Sequence, residues 1–186
     1  MPIPTFEVPV VPMTTQSFAP YGEVFGTETG GEKRSIASTA FNHEGQVSVG
    51  TIWNPQGGFE FSKLERHYAI AQGFVQLSGA PAVVCAAPPT DINDPKALPR
   101  AEDVIGFLID PSQGYLFHVG TWHAMDRCVL APPGANFMII NVMPNPTQVI
   151  DFATGKSSRH ADLDVTPVPD ELPWPKTGLC QFRLRL

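Results

Sequence analysis

Short alternating stretches, rather than helical stripes, dominate the chain. Residues 47–53 (Val-Ser-Val-Gly-Thr-Ile-Trp) alternate with the period of two that marks a strand. The run from Phe59 to His67 does the same. Phe59, Phe61, Lys63, Glu65 and His67 share one face, and Glu60, Ser62, Leu64 and Arg66 share the other. Residues 23–26 read as a strand. Phe74 to Leu77 and Ala82 to Ala86 predict a hairpin around Ser78-Gly79-Ala80-Pro81. Val104 to Ile109 and Tyr115 to Val119 flank a turn at 110–114. Arg127 to Ala131 and Phe137 to Met143 predict a further pair around 132–135. Phe137 to Ile140 is apolar throughout, which predicts a strand covered on both faces. A Thr-capped helical turn is expected over 14–19, ended by Pro20-Tyr21-Gly22. The polar, Pro-rich stretch 88–103 reads as a loop with one helical turn.

Roughly nine or ten strands at this spacing predict an all-β fold, a sandwich or closed barrel with one or two short helices. Residues 1–186 read as one domain. From about residue 155 the chain turns to Ser, Asp and Pro, with Pro167, Pro169, Pro173 and Pro175. That predicts an extended tail wrapping the barrel or a neighbouring subunit.

Composition narrows the picture. The 16 Gly and 20 Pro in 186 residues argue against a helical bundle. A net charge of −6 disfavours nucleic acid and anionic membranes as partners. No apolar run approaches the ~18 residues of a membrane span, and the N-terminus lacks the basic and apolar regions of a secretory signal. Cys85, Cys128 and Cys180 are odd in number and widely spaced, so a disulfide framework is not expected. Together these place the protein in a reducing cytoplasm. Cys85, Cys128, Met138 and Met143 read as core filler.

Two segments carry titratable groups within apolar surroundings, 64–72 and 114–123. Glu65 and His67 share a face with Phe59 and Phe61, and a buried carboxylate or imidazole needs a partner. The plainer reading is an ion pair at a barrel rim. His118 and His123 flank Gly120, whose freedom permits a tight turn bringing both imidazoles to one pocket. The plainer readings are a half-buried strand residue for His118 and a loop residue beside Trp122 for His123. No nucleophile elbow, P-loop or dinucleotide glycine motif is present.

Glu65-x-His67-x(4)-Gln72, followed about fifty residues later by Gly120-x-x-His123, resembles the paired motifs of cupins, with Glu in place of a His and Gln in place of a Glu. That resemblance implies a cupin-like β-barrel (a double-stranded β-helix). The chain also resembles the ureidoglycolate lyase family, on Phe18-Ala19-Pro20-Tyr21-Gly22-Glu23-Val24, on Leu64-Glu65-Arg66-His67 with Gln72 and Phe74, and on Gly114 through Trp122-His123. A weaker match covers Asp162 to Val165 with Pro169. The resemblance implies a homodimer acting on a small molecule, cleaving ureidoglycolate to glyoxylate and urea in purine (allantoin) catabolism.

That reaction needs a base, an acid and a cation for the carboxylate. His123 or His67 is the expected base, Glu65 orients an imidazole, and His118 is the expected acid. Lys63, Gln72, Trp122 and Arg127 are the expected substrate contacts. Arg66 is aimed away by alternation. The cofactor stays open between none and a divalent metal (Ni, Mn or Fe) held by Glu65, His67, Gln72 and His123. The chain departs from the family pattern at Ala124 and Met125, which replace a His and a Pro, and at Asn141-Val142, which replace an Asp-Arg pair. Two rivals stand beside this reading: a metal-dependent isomerase or lyase for another small oxo- or hydroxy-acid, and a non-catalytic ligand-binding barrel.

Overall fold

The structure, a computed structural model, describes residues 3–26, 36, 38–162, 166, 168–170 and 178–186. In chain order its elements are β1 (Thr5–Pro12), α1 (Thr15–Phe18), β2 (Gly22–Phe25), β3 (Gln46–Pro55), β4 (Glu60–Phe61), β5 (Lys63–His67), β6 (Gly73–Gly79) and β7 (Ala82–Ala87). A 3-10 turn at Ala101–Asp103 follows. Then come β8 (Ile105–Leu108), β9 (Gly114–Phe117), β10 (Trp122–Ala124), β11 (Cys128–Val129), β12 (Gly134–Met143), β13 (Thr147–Asp151), β14 (Lys156–His160), β15 (Val168–Asp170) and β16 (Gln181–Arg185). The larger sheet runs β15-β14-β13-β5-β10-β7-β8-β1-β16-β4, with β11 on β7. The smaller runs β2-β9-β6-β12-β3. Folded over one another, they make a cupin-like β-barrel, nearly all β as the sequence predicts.

The barrel core is aromatic. Phe74, Phe107, Tyr115, Phe117 and Phe137 from the two sheets fill it, joined by Phe18 of α1 and Tyr21 just after it. A second apolar layer lies behind the larger sheet, where Leu64, Val83, Cys85, Trp122, Ile150, Phe152 and Phe182 pack. Strand β7 separates the two. Ala82, Val84 and Ala86 face the barrel, and Val83, Cys85 and Ala87 face the outer layer. The expected helical turn is α1, closed by a reciprocal Thr14–Ser17 capping box.

Both expected hairpins are corrected. β6 pairs with β9 and β12, whereas β7 pairs with β8, β10 and β11. The Gly79–Pro81 bend therefore carries the chain from one sheet to the other. Gly79, at φ +100, leaves no room for a side chain against the Gly134 carbonyl. Strand β11 likewise joins β7, while β12 lies between β3 and β6. The outer face of β12 is half-buried rather than covered, since Met138 and Ile140 face away from the barrel. The tail forms strands where it is described: β14 and β15 extend one edge of the larger sheet, and β16 lies parallel to β1. Pro169 sits in β15, whereas Pro167, Pro173, Pro175 and Leu163 to Val165 lie outside the described residues.

Candidate active site

Strand register builds the site. β5 lies between β10 and β13, with His123 opposite Glu65 and Thr147 opposite His67. Paired residues point to one face of a sheet, and here that face is the barrel interior. Glu65 Oε1 lies 3.9 Å from His67 Nε2 and 3.8 Å from His123 Nδ1. The two imidazole centroids are 5.2 Å apart. Phe117 stacks on His123 at 4.5 Å with the rings nearly parallel, which fixes that imidazole. Ala86, opposite His123 on β7, leaves space beside it.

Hydrogen bonds define the tautomers. The Thr147 hydroxyl donates its one proton to the Asn145 carbonyl at 2.9 Å, so it accepts from His67 Nδ1–H at 2.8 Å. His123 Nδ1–H donates to the Ala124 carbonyl at 3.1 Å. Both rings therefore present an Nε2 lone pair, and neither Nε2 has a partner. Burial sets the charges. It raises Glu65 to about 7, the Arg127 cation opposing and Asp126 adding to the effect. It lowers His67 to about 4; Gln72, beside the ring, favours the protonated form but forms no bond of ordinary geometry, and Arg127 disfavours it. His123 is pushed well below the usual histidine range by burial, then by His67 and Arg127.

Arg127 completes the interior. Its guanidinium covers the Phe74 ring at 3.7 Å, donates from Nε to the Tyr115 hydroxyl at 3.0 Å and from Nη1 to the Met125 carbonyl at 3.4 Å. Nη2 is buried without a partner. A cleft of about 500 Å³ opens beside Arg127 and is lined also by Asn54, Lys63, Ala124 and Met125.

A family model described as "Ureidoglycolate lyase" matches residues 5–159. The chain belongs to the ureidoglycolate lyase family. It is similar to the "Ureidoglycolate lyase" of Azotobacter vinelandii, 32% identical over 127 residues, covering 61% of this chain and 73% of that protein. The namesake of Pseudomonas paraeruginosa is 31% identical over 127 residues, covering 61% and 72%. That of Burkholderia mallei is 30% identical over 129 residues, covering 61% and 71%.

For this family member, the structure brings together Glu65, His67, His123, Gln72 and Arg127. Lys63 is exposed at the cleft mouth. His118 stands outside: its side chain is 43% exposed, 3.9 Å from Glu23. Phe117 faces the barrel, so alternation turns its neighbour outward, and the Gly120 turn aligns His123 alone. Trp122 also faces away, into the outer layer, where Arg66 stacks on it at 4.6 Å and Thr90 accepts its indole N–H. Arg66 is buried there too, bound to Gln148, Thr90 and the carbonyls of Asp91 and Asp94. At the departures from the family pattern, Ala124 and Met125 border the cleft, Asn141 accepts from Asn145, and Val142 packs with Ile70. Sequence reasoning missed Thr147 and Asn54. Thr147 lies on a strand it did not predict. Asn54 lies one residue beyond the predicted strand 47–53, in the observed continuation of β3 to Pro55, and the signal was its place on the inward parity with Ile52.

Glu65, His67 and His123 each offer a ligand atom, all within 4.8 Å of one another. With two unpartnered Nε2 atoms and the unpartnered Gln72 oxygen, the donor set suits a divalent cation.

Proposed function

We propose that the chain cleaves ureidoglycolate to glyoxylate and urea. The observation supporting this reading is a half-buried carboxylate held between two buried, neutral imidazoles, beside a buried arginine, in a chain of this family. The rival isomerase and simple binding barrel have no comparable support.

Ureidoglycolate carries its hydroxyl and its ureido nitrogen on one carbon. Glu65 as carboxylate takes the hydroxyl proton. The oxygen forms a carbonyl, the carbon–nitrogen bond breaks, and the departing nitrogen receives the proton from Glu65. One carboxyl group serves both steps because donor and acceptor atoms share a carbon, and burial has moved Glu65 toward neutrality, where such transfer is efficient. His67 and His123 stay neutral and accept hydrogen bonds at Nε2. Arg127 neutralises the substrate carboxylate. These roles differ from the expected ones: burial makes the histidines weak bases, and His118 lies outside the cluster. Glu65, His67 and His123, with Gln72, would hold a divalent metal (Ni, Mn or Fe), which when bound supplies Lewis-acid polarisation of substrate oxygens.

The test is glyoxylate release from ureidoglycolate, with and without chelator and each metal, for wild type and Glu65→Gln. A loss of roughly 10²–10⁴-fold in the variant is expected. No release from the wild type under any metal condition would sink the reading.

We also propose a homodimer. Val49, Trp53 and Leu77 are exposed on the outer face of the smaller sheet, next to half-buried Val75, Met138 and Ile140. Exposed apolar patches of this kind mark association surfaces. A cytoplasmic location accords with three free cysteines. No helix among the described residues is long and apolar enough to cross a membrane.

A further inference from the structure

Two buried polar atoms bordering the same cleft lack partners, and they are chemically opposite. Arg127 has committed Nε to Tyr115 and Nη1 to Met125, which leaves Nη2. Asn54 is 4% exposed, lies on the inward parity of β3 with Ile52, and has an unpartnered Oδ1. Both line the cleft of about 500 Å³. A free guanidinium nitrogen asks for an anionic oxygen, and a carboxamide oxygen asks for an N–H donor. Leaving either unpaired is costly, so the ligand that suits the cleft supplies both.

We propose that Asn54 and Arg127 form a two-point clamp selecting acids that carry an unsubstituted terminal ureido group: Arg127 takes the carboxylate and Asn54 accepts from the ureido –NH2. This deepens the functional reading above and rests on it for the placement of the reacting carbon between the clamp and Glu65. Asn54 is thus a specificity residue. A hydroxy- or oxo-acid without the ureido group leaves Asn54 unpaired and is rejected.

N-carbamoylglycine and N-acetylglycine separate the two contacts. Both carry the carboxylate, but the second has a methyl group where the first has –NH2, and neither has the hydroxyl needed for turnover. Calorimetric titration of the wild-type protein is expected to show N-carbamoylglycine binding about tenfold tighter or more. Asn54→Leu brings that ratio to about one, with N-acetylglycine affinity kept. Arg127→Gln weakens both ligands. Equal affinities in the wild type, no binding of either ligand, or a preference that survives in Asn54→Leu overturns the clamp. Asn54→Ala substitutes where the leucine variant does not fold, and the wild-type comparison needs no variant. Glyoxylate release from ureidoglycolate is scored separately. Release without ligand preference sinks the clamp and spares the reaction; preference without release does the reverse.

Discussion

Glu65 keeps a proton that a solvated carboxylate would release. Its pKa rises from 4.5 to about 7, so between those values the folded chain binds a proton the unfolded chain has lost. The stability this contributes is complete below about pH 4.5 and lost as pH climbs to 7, an effect of at most about 3 kcal/mol. In chelator, Glu65→Gln is therefore expected to gain melting temperature over wild type at pH 8 relative to the same comparison at pH 5. An identical difference at both pH values would contradict the burial. His67 works in the opposite direction. Its pKa falls from 6.5 to about 4, so acid destabilises the folded chain as the denatured imidazole takes up its proton. Tyr115 acts through Arg127. Tyr115→Phe removes the acceptor for Nε, and KM for ureidoglycolate is expected to rise roughly 5- to 30-fold while kcat stays near wild type. An equal fall in kcat would place Tyr115 in the chemistry instead.

At the scale of elements, register decides what each strand presents. The alternation of β5 was legible: Lys63, Glu65 and His67 on one side, Leu64 and Arg66 on the other. That alone placed Arg66 outside the pocket. Strand pairing was not legible. A bend with Gly and Pro between two apolar runs reads as a hairpin, yet β6 and β7 enter different sheets, because local sequence states where the chain turns and not what it then meets. The same blindness kept His118 in the expected site, although the parity of Tyr115 and Phe117 turns it outward. Strands β13 and β10 were unpredicted, being short and polar in part, so the Thr147 bond to His67 had no local signal. Close contact between elements gives a sharp test at Gly22 in β2. A Cβ there would collide with the Leu116 carbonyl oxygen. Gly22→Ala is expected to cost about 1–3 kcal/mol in denaturant unfolding, and an unchanged midpoint would mean β2 does not approach β9 so closely.

For the whole molecule, the two apolar layers divide the labour: one encloses the chemistry, the other holds the larger sheet from behind. The exposed face of the smaller sheet belongs to neither. Trp53→Glu, or Val49→Glu, is expected to shift the protein from dimer to monomer in light scattering at micromolar concentration; a wild type already monomeric there would remove that assignment. β5 serves both layers with alternate residues, Glu65 and His67 forward, Arg66 backward onto Trp122 and the 90–97 loop. An insertion or deletion of one residue in this strand would exchange the two sets at a stroke, ruining pocket and scaffold together. Descendants of this chain are thus locked in length along β5, and new substrate preferences have to arise by exchange of side chains lining the cleft, around positions 54 and 124–125, where change leaves the pairing of strands untouched.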